Sequence, residues 1–252
     1  MSENIVKETE KEPTGNIKHS RFQDAPWYGT PLEIVVGGTG GIGSWTALLL
    51  SRIGHHLYLF DMDLIEEHNM AGQLYATKQI GRNKAEAIKE TIILYADNHN
   101  IETMGKYEEN SPTSPIVFSC FDNMAARKLM FNKWKEQEDR EIFIDGRMLA
   151  EVGMIYCVTK GNEEAYEAEL FDDAEVKEAP CSFKATSHCG ALIGSLMVSG
   201  LNNYLSNVAY EADIKVVPFK LEFELPMFSF VEKEAKDFIK PKEKKKDEVI
   251  GA

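Results

Sequence analysis

The middle of the chain alternates between short apolar runs and longer runs in which apolar residues recur along one side. Short apolar runs predict buried strands and longer striped runs predict helices, because side chains repeat every two residues or so in a strand and about every 3.6 in a helix. The predicted strands are 33–36, 57–60, 116–119, 142–144 and 154–158. The predicted helices are 44–53, 82–95, 123–135 and 186–205, with Ala85, Ile88, Ile92 and Tyr95 on the apolar stripe of the second.

The order of these elements predicts the fold class. Strands that alternate with helices favour a parallel sheet covered on both faces. Residues 219–225 differ, because apolar and charged side chains alternate there, which predicts a strand with one solvated face, antiparallel at a sheet edge. We therefore expect a Rossmann-like α/β fold: a mostly parallel sheet with helices on both faces and antiparallel edge strands at its C-terminal end.

The two ends of the chain differ from its middle. Residues 1–20 are polar and charged and predict a flexible leader, whereas the lysine-rich residues 240–252 predict a charged, solvated tail. Between them, residues 21–239 predict a single domain. Its first residues include Phe22, Trp27 and Tyr28, which we expect to dock on the body.

Charge and cysteine content limit the classes of partner. The formal net charge is −13, so the chain repels phosphate backbones and nucleic acid is an unlikely partner. The N-terminus lacks the pattern of a signal peptide, and no apolar run approaches the roughly 20 residues of a membrane span. The four cysteines form no Cys-x-x-Cys pair, so a zinc site is not implied. Their scattered positions indicate reduced thiols in a cytoplasmic protein.

A glycine-rich turn joins the first predicted strand to the first predicted helix. It contains Gly38, Gly40, Gly41 and Gly43, which allow backbone N–H groups to approach a phosphate beside a helix N-terminus. Asp61 ends the next strand, at the position of a ribose-binding acid. These residues predict a bound nucleotide, and they do not by themselves separate ATP from the dinucleotide of a dehydrogenase.

Three further stretches resemble motifs of the ThiF/MoeB/HesA family, which includes ubiquitin-activating enzymes. Residues 61–73 resemble the pattern Asp-x-Asp-x-Val-x-x-x-Asn-x-x-Arg-Gln, residues 80–85 the helix start Gly-x-x-Lys-Ala, and residues 120–127 the strand end Asp-Asn-x-x-x-Arg. With the glycine turn, four motifs follow one another in the family's order. The resemblance implies ATP- and Mg²⁺-dependent adenylation, in which a carboxylate attacks the α-phosphate and expels pyrophosphate.

The resemblance also implies roles for single residues. Lys84 would bring positive charge to the phosphates, and Asp122 would bind Mg²⁺, a cation that prefers oxygen ligands. Each residue also has a structural alternative: a surface lysine for Lys84, a helix cap for Asp122 and a turn for Asn69. The remaining implied roles are contacts to phosphate or ribose oxygens from Asn69 and Gln73, and contacts to the ribose and its surroundings from Asp61 and Asp63.

One position departs from the family pattern, because Gly72 stands where the family has arginine. That arginine helps to hold the triphosphate in the family. Either another cation replaces it, with Arg82 and Arg21 as candidates, or the enzyme is slow or altered in substrate, or the protein binds nucleotide without turning it over.

Cys181 and Cys189 are candidate nucleophiles, since some relatives pass the activated group to a thiol. Cys181 lies in a loop-like acidic stretch, and Cys189 lies near a helix start, where a thiol pKa can be depressed. Both have an unreactive alternative, which for Cys189 is the first position of a buried apolar stripe. Arg147 fits a substrate entrance and a surface turn equally well.

The sequence thus predicts adenylation of a carboxylate, the C-terminus of a small ubiquitin-like protein or peptide. We expect the flexible acidic residues 162–178 and the last predicted helix to form the acceptor-binding side, and the family resemblance implies a homodimer. The alternatives are a small-molecule or tRNA-borne carboxylate, a nucleotide-binding scaffold that partners an active enzyme, and a dehydrogenase.

Overall fold

The computed structural model describes residues 17–172 and 185–239, which form one eight-stranded sheet with helices on both faces. The strands are β1 (Glu33–Gly37), β2 (His56–Phe60), β3 (Ile101–Met104), β4 (Ile116–Ser119), β5 (Ile142–Leu149), β6 (Val152–Thr159), β7 (Lys220–Glu224) and β8 (Ser229–Lys233). The helices are α1 (Gly43–Ile53), α2 (Lys84–Ala96), α3 (Met124–Lys135), α4 (Glu163–Glu167) and α5 (Ser187–Tyr210). Short 3₁₀ turns lie at Ile17–His19, Glu67–Ala71, Thr77–Gln79, Leu225–Met227 and Ala235–Asp237.

The strands follow the order β3-β2-β1-β4-β5-β6-β7-β8. The first five run parallel, and β6, β7 and β8 are antiparallel to their neighbours, which confirms the predicted fold class. Gly37, Phe60, Ser119 and Asp145 lie side by side where the parallel strands end. We call this side of the sheet the carboxyl edge and the opposite side the amino edge.

The central strands β1 and β4 are buried on both faces. In β1, Ile34 and Val36 point into a core formed with α1, α2 and α5, whereas Val35 points into a second core formed with α3 and α4. This burial explains why the central strands read as continuous apolar runs. None of the helices in the described ranges is both long and apolar enough to cross a membrane.

Several predicted elements need correction. β3 and β8 were not predicted, and β5 continues to Leu149 because its pairing with β6 extends past the charged residues that look like a turn. β8 rather than β7 forms the sheet edge. Tyr95 is exposed in the last turn of α2, whereas Ala85, Ile88 and Ile92 are buried as predicted.

Two polar segments are more buried than predicted. Lys220 in β7 was expected to face solvent, yet it is buried and its Nζ lies 2.7 Å from carboxylates of Glu169 and Glu222. Within the predicted flexible segment 162–178, α4 buries Ala165 and Tyr166 in the second core. Residues 173–178 of that segment lie outside the described residues.

The N-terminal aromatic residues form a cluster at the amino edge that contacts the body through His19. The ring of His19 stacks on Phe22, and Phe22 contacts both Trp27 and Tyr28. A Cβ built at Gly54, where α1 ends, would lie 3.0 Å from the His19 ring. This cluster therefore lies about 16 Å from the carboxyl edge, the length of the 11-residue helix α1.

The first turn of α5 packs directly on the glycine turn that joins β1 to α1. A Cβ built at Gly190 would lie 2.2 Å from the carbonyl oxygen of Gly41, and one built at Gly194 would lie 2.9 Å from Thr46 Oγ1. No side chain fits at such distances. The two glycines thus allow α5 to lie against α1 and to begin at the carboxyl edge.

We predict that Gly190→Ala lowers the free energy of unfolding by about 2 kcal/mol, since the added methyl overpacks a backbone contact that cannot yield without moving the turn. Thermal unfolding measures the effect. Gly29→Ala is the matched control, because within the described structure no atom lies within 4 Å of the Cβ added there. Equal melting temperatures for the two variants would contradict the close contact.

Candidate functional site

The glycine turn has a backbone that requires glycine at two positions. Gly38 has a φ of +82°, a left-handed conformation that side chains disfavour. A Cβ at Gly43 would lie 1.9 Å from the carbonyl oxygen of Gly38, so only glycine permits this tight turn. The turn leads directly into α1, and its N–H groups lie beside the helix N-terminus, where the backbone favours an anion.

Asp61 holds the glycine turn from the neighbouring strand. Its Oδ2 accepts hydrogen bonds from the backbone N–H of Thr39 at 2.7 Å and from Thr39 Oγ1 at 3.0 Å. Its Oδ1 accepts from the N–H of Asp63 at 2.9 Å. The buried carboxylate thus joins the ends of β1 and β2, which adds an anchoring function to the ribose contact implied by the sequence.

Lys84 is a buried cation at the same edge. Its Nζ lies 2.9 Å from Asp63 Oδ2, and its side chain is 11% exposed against 55% for Asp63. Asn83 fixes the start of α2, because its Oδ1 accepts from Glu86 N while its Nδ2 donates to the carbonyl oxygen of Asp61 at 3.0 Å. A surface lysine would be more exposed, so the burial favours the functional interpretation of Lys84.

The segment after β2 folds back onto the glycine turn. Asn69 Oδ1 accepts from the N–H of Glu66 at 2.9 Å, and its carbonyl oxygen accepts from the N–H of Gln73 at 2.9 Å, so the structure gives Asn69 a turn-forming role. The Tyr75 hydroxyl donates to the carbonyl oxygen of Thr39 at 2.5 Å. Burial raises the pKa of Tyr75 above its usual value, so this phenol remains a donor.

Gln73 points at the glycine turn. The nearest atoms to a Cβ built at Gly40 belong to the Gln73 amide, from 3.8 Å. Its Oε1 is buried without a hydrogen-bond partner among the described residues. Because an unpaired buried acceptor is unfavourable, this oxygen suits a donor such as a ribose hydroxyl or a metal-bound water.

Asp122 follows β4 at the carboxyl edge, and its side chain is exposed. Asn123, not Asp122, caps α3, because Asn123 Oδ1 accepts from the N–H of Ala126 at 2.9 Å. The Asn123 Nδ2 lies 3.4 Å from Asp122 Oδ1, a long contact. The capping alternative for Asp122 therefore fails, and its carboxylate is available to a ligand.

Arg82 and Arg21 are the two candidate replacements for the family arginine. Neither side chain lies at the glycine turn of the same chain. Arg82 forms a two-pronged ion pair with Glu90 on the exposed side of α2, at 2.6 Å from each nitrogen. Arg21 is exposed in the aromatic cluster's segment at the amino edge. Gly72 itself is buried, and a Cβ built there would lie 3.8 Å from the Cβ of Ala185.

The extension of β5 forms one wall of the site. Met148 Cε would lie 3.0 Å from a Cβ at Gly41, so this side chain covers the glycine turn. On the opposite face of β5, Arg147 donates from Nε to Asp145 Oδ2 at 2.7 Å, and its guanidinium lies 4.4 Å from the centre of the Tyr156 ring. Arg147 is thus a buried residue of the second core, not a surface turn residue.

The described cysteines are buried thiols. Burial raises the pKa of Cys189 to about 11 and those of Cys120 and Cys157 to about 12. Cys189 is therefore protonated at neutral pH, which favours the unreactive alternative for this residue. The other candidate nucleophile, Cys181, lies outside the described residues.

Sequence reasoning missed Thr39, Tyr75, Gly190 and Met148 as parts of this site. The contacts of Thr39 and Tyr75 join residues far apart in sequence, and no local pattern reveals them. Gly190 and Gly194 did carry a signal, since glycine inside a helix costs stability and usually marks a close contact.

Curated proteins of similar sequence are activating enzymes. Ubiquitin-like modifier-activating enzyme 5 from Xenopus laevis is 27% identical over 202 residues, which cover 69% of this chain and 50% of that protein. The enzyme of the same name from Culex quinquefasciatus is 34% identical over 114 residues, or 38% of this chain and 29% of that protein. The chain spans about half the length of these relatives or less.

Solved structures share the fold. E. coli MccB with ATP superposes with a TM-score of 0.64 at 15% sequence identity, covering 88% of this chain and 72% of MccB. PaaA superposes with a TM-score of 0.60 at 20% identity, covering 86% of this chain and 76% of PaaA. Residues 31–245 match the family model of ThiF, which is most of the chain. The chain belongs to the ThiF family.

Proposed function

We propose that the protein binds ATP with Mg²⁺ and adenylates a carboxylate. The observation that carries this proposal is the buried Lys84, paired with the more exposed Asp63 beside the Asp61-anchored glycine turn. Across the same edge, Asp122 is unpaired by any cation in the described structure. A dinucleotide-dependent dehydrogenase would use the glycine turn and Asp61, but it would give no role to Lys84 and Asp122.

The residues present suit a nucleoside triphosphate. The N–H groups of the glycine turn and the N-terminus of α1 stabilise phosphate charge, and the exchange of Asp63 for a phosphate keeps Lys84 paired. Gln73 Oε1 offers an acceptor where the turn is open at Gly40. In the reaction, an oxygen of the acceptor carboxylate forms a bond to the α-phosphorus, and the bond from that phosphorus to pyrophosphate breaks.

Asp122 suits Mg²⁺ because it is an exposed carboxylate on a fixed strand end, and hard cations take oxygen ligands. When bound, the metal neutralises charge on the leaving pyrophosphate. Asp122 would hold it on the opposite side of the glycine turn from Lys84. Lys84, together with a metal held by Asp122, would thus bring positive charge to the phosphates.

We infer that the acceptor is the C-terminus of a small ubiquitin-like protein or peptide. Two observations support this class: the curated relatives are named as ubiquitin-like modifier-activating enzymes, and MccB has been solved with MccA. A small-molecule or tRNA-borne carboxylate is the alternative. Homodimerisation and a cytoplasmic location stay predictions.

We predict that purified protein catalyses ATP–pyrophosphate exchange that requires Mg²⁺ and a suitable acceptor, such as a small protein ending in Gly-Gly. Asp122→Asn and Lys84→Met should each lower the exchange rate at least about 100-fold, because each removes charge stabilisation where charge develops. The rate is measured with labelled pyrophosphate under saturating ATP.

Asp139→Asn is the matched control, since Asp139 is an exposed aspartate beyond the other end of α3. It should exchange at the wild-type rate. ATP binding without exchange for every acceptor offered would favour a scaffold, and a lack of ATP binding would contradict the proposal.

A nucleotide-binding scaffold is the second candidate function. It is favoured by Gly72, because neither Arg82 nor Arg21 of the same chain lies at the glycine turn. In a scaffold the protein would hold ATP without turning it over. The backbone at Gly72 allows a direct test, since its φ of −122° accepts any side chain.

We predict that Gly72→Arg tightens ATP binding about tenfold, because a charge-assisted hydrogen bond to phosphate contributes roughly 1.5–3 kcal/mol. Isothermal titration gives the affinity, and pyrophosphate exchange shows whether turnover rises with it. Gly72→Gln controls for side-chain length without the charge. If both variants bind more weakly, the buried position has no room for the family arginine and the expectation is wrong.

A further inference from the structure

Arg127 makes polar contacts that reach from α3 to two strand ends. It lies in the first turn of α3 and is 5% exposed. Its Nη2 donates to the carbonyl oxygen of Phe121, and its Nη1 donates to Asp145 Oδ1 and, at 3.1 Å, to the carbonyl oxygen of Gly146. One guanidinium thus connects the end of β4 to β5.

The carboxylate that receives Arg127 is itself immobile. Asp145 lies inside the sheet, fully buried, and its Oδ2 accepts from Arg147 Nε at 2.7 Å and from the Tyr166 hydroxyl at 3.0 Å. Its two oxygens therefore have separate partners, with Oδ1 given to Arg127. Because buried carboxylates are costly to leave unpaired, this arrangement fixes the position of the Arg127 guanidinium.

The two neighbours of Asp122 in sequence are both held. The carbonyl before it belongs to Phe121 and is bound by Arg127, and the residue after it, Asn123, is held by its capping bond to α3. The Asp122 side chain itself is exposed. The Asp122 carboxylate is therefore attached to a backbone that is held at the carboxyl edge on both sides of Asp122.

Docking of α3 does not need these contacts. Met130, Phe131 and Trp134 of α3 are fully buried in the second core and provide the apolar attachment. A buried ion pair adds little net stability over apolar packing, since desolvation offsets the attraction. The contact of the Arg127 guanidinium with the backbone carbonyl beside Asp122 is therefore better explained by its effect on the position of Asp122 than by its contribution to the stability of the fold.

We propose that Arg127 is a positioning residue that fixes the Phe121–Asp122 peptide, and thereby the Asp122 carboxylate, for a divalent cation that accompanies ATP. This inference rests on the proposed function, because it assigns Asp122 to the metal. Arg127 acts through the backbone and touches neither ATP nor the metal. Residues that hold a metal ligand in place typically change metal affinity about 10- to 100-fold when replaced.

The test is Mn²⁺ binding to the protein saturated with AMPCPP, a non-hydrolysable ATP analogue, measured by electron paramagnetic resonance. Arg127→Lys keeps the charge and loses the fork that contacts both Phe121 and Asp145, so we expect Mn²⁺ affinity to fall at least about tenfold. The affinity for AMPCPP without metal should change less than about twofold, as for an uncoupled site.

Two controls separate positioning from stability. Ile142→Val shortens a fully buried side chain at the start of β5, away from Asp145, and Arg140→Lys weakens an arginine–Glu163 pair near the far end of α3. Both should lower the melting temperature and leave Mn²⁺ affinity unchanged. If Arg127→Lys does not fold, Arg127→Gln replaces it, since Asp145 then still has Arg147 as its counter-ion.

The outcomes are distinct. Wild-type protein that binds no Mn²⁺ with AMPCPP overturns the proposed function and this inference with it. Wild-type binding with equal Mn²⁺ affinity in the Arg127 variants overturns this inference alone. Affinity losses that follow the melting temperature across all variants, controls included, reduce Arg127 to a structural residue.

Discussion

The carboxyl edge depends on backbone approaching backbone without side chains between. Gly43 closes the turn on Gly38, and Gly190 brings the start of α5 against Gly41. Two helices therefore begin at the same place, and the partial positive charges of their N-termini add there. A methyl group at either contact would separate these elements. The geometry of the whole site therefore depends on the absence of a side chain at Gly43 and Gly190.

Around this contact the sheet supplies two kinds of support. On one side, Asp61 binds Thr39 and holds the glycine turn to β2. On the other, β5 runs past the edge, paired with β6 through Leu149, and carries Met148 over the turn and Asp145 beneath Arg127. Asp145 lies inside β5, and Asp61 follows the last residue of β2 directly, so these carboxylates are held at the sheet before any ligand arrives.

Much of the fold was predictable because burial leaves periodic patterns. The strands beside the glycine turn are buried on both faces and read as apolar runs, and the motif residues follow the strand ends in order. β8 was missed because its side chains are mostly exposed and its sequence is mixed, and the extension of β5 was missed because Asp145, Gly146 and Arg147 resemble a turn. Polar residues inside a strand can be recognised as strand residues only when their hydrogen-bond and ion-pair partners are known. Those partners come from distant segments of the sequence.

Within the site, the residue types were predictable and their pairings were not. Lys84 and Asp122 were found through family motifs. That Lys84 is buried against Asp63, and that Asn123 rather than Asp122 caps α3, could be learned only from the tertiary structure. Asn69 was expected at the ligand, and the structure adds a turn-forming role for its Oδ1. The same residue type can meet either need, and only the fold decides between them.

The Lys84–Asp63 pair also bears on which anions the protein can distinguish. The buried lysine already has a counter-ion, and that counter-ion is the more exposed member of the pair. Under the proposed function, an incoming phosphate would therefore substitute for one carboxylate rather than meet an unpaired charge. The charge of Lys84 is thus already balanced before any anion arrives. Attraction at long range is correspondingly weak, and preference among anions must come from the shape of the group that replaces Asp63. An anion that matches the charge but not the geometry of a polyphosphate would gain almost nothing over the aspartate it displaces.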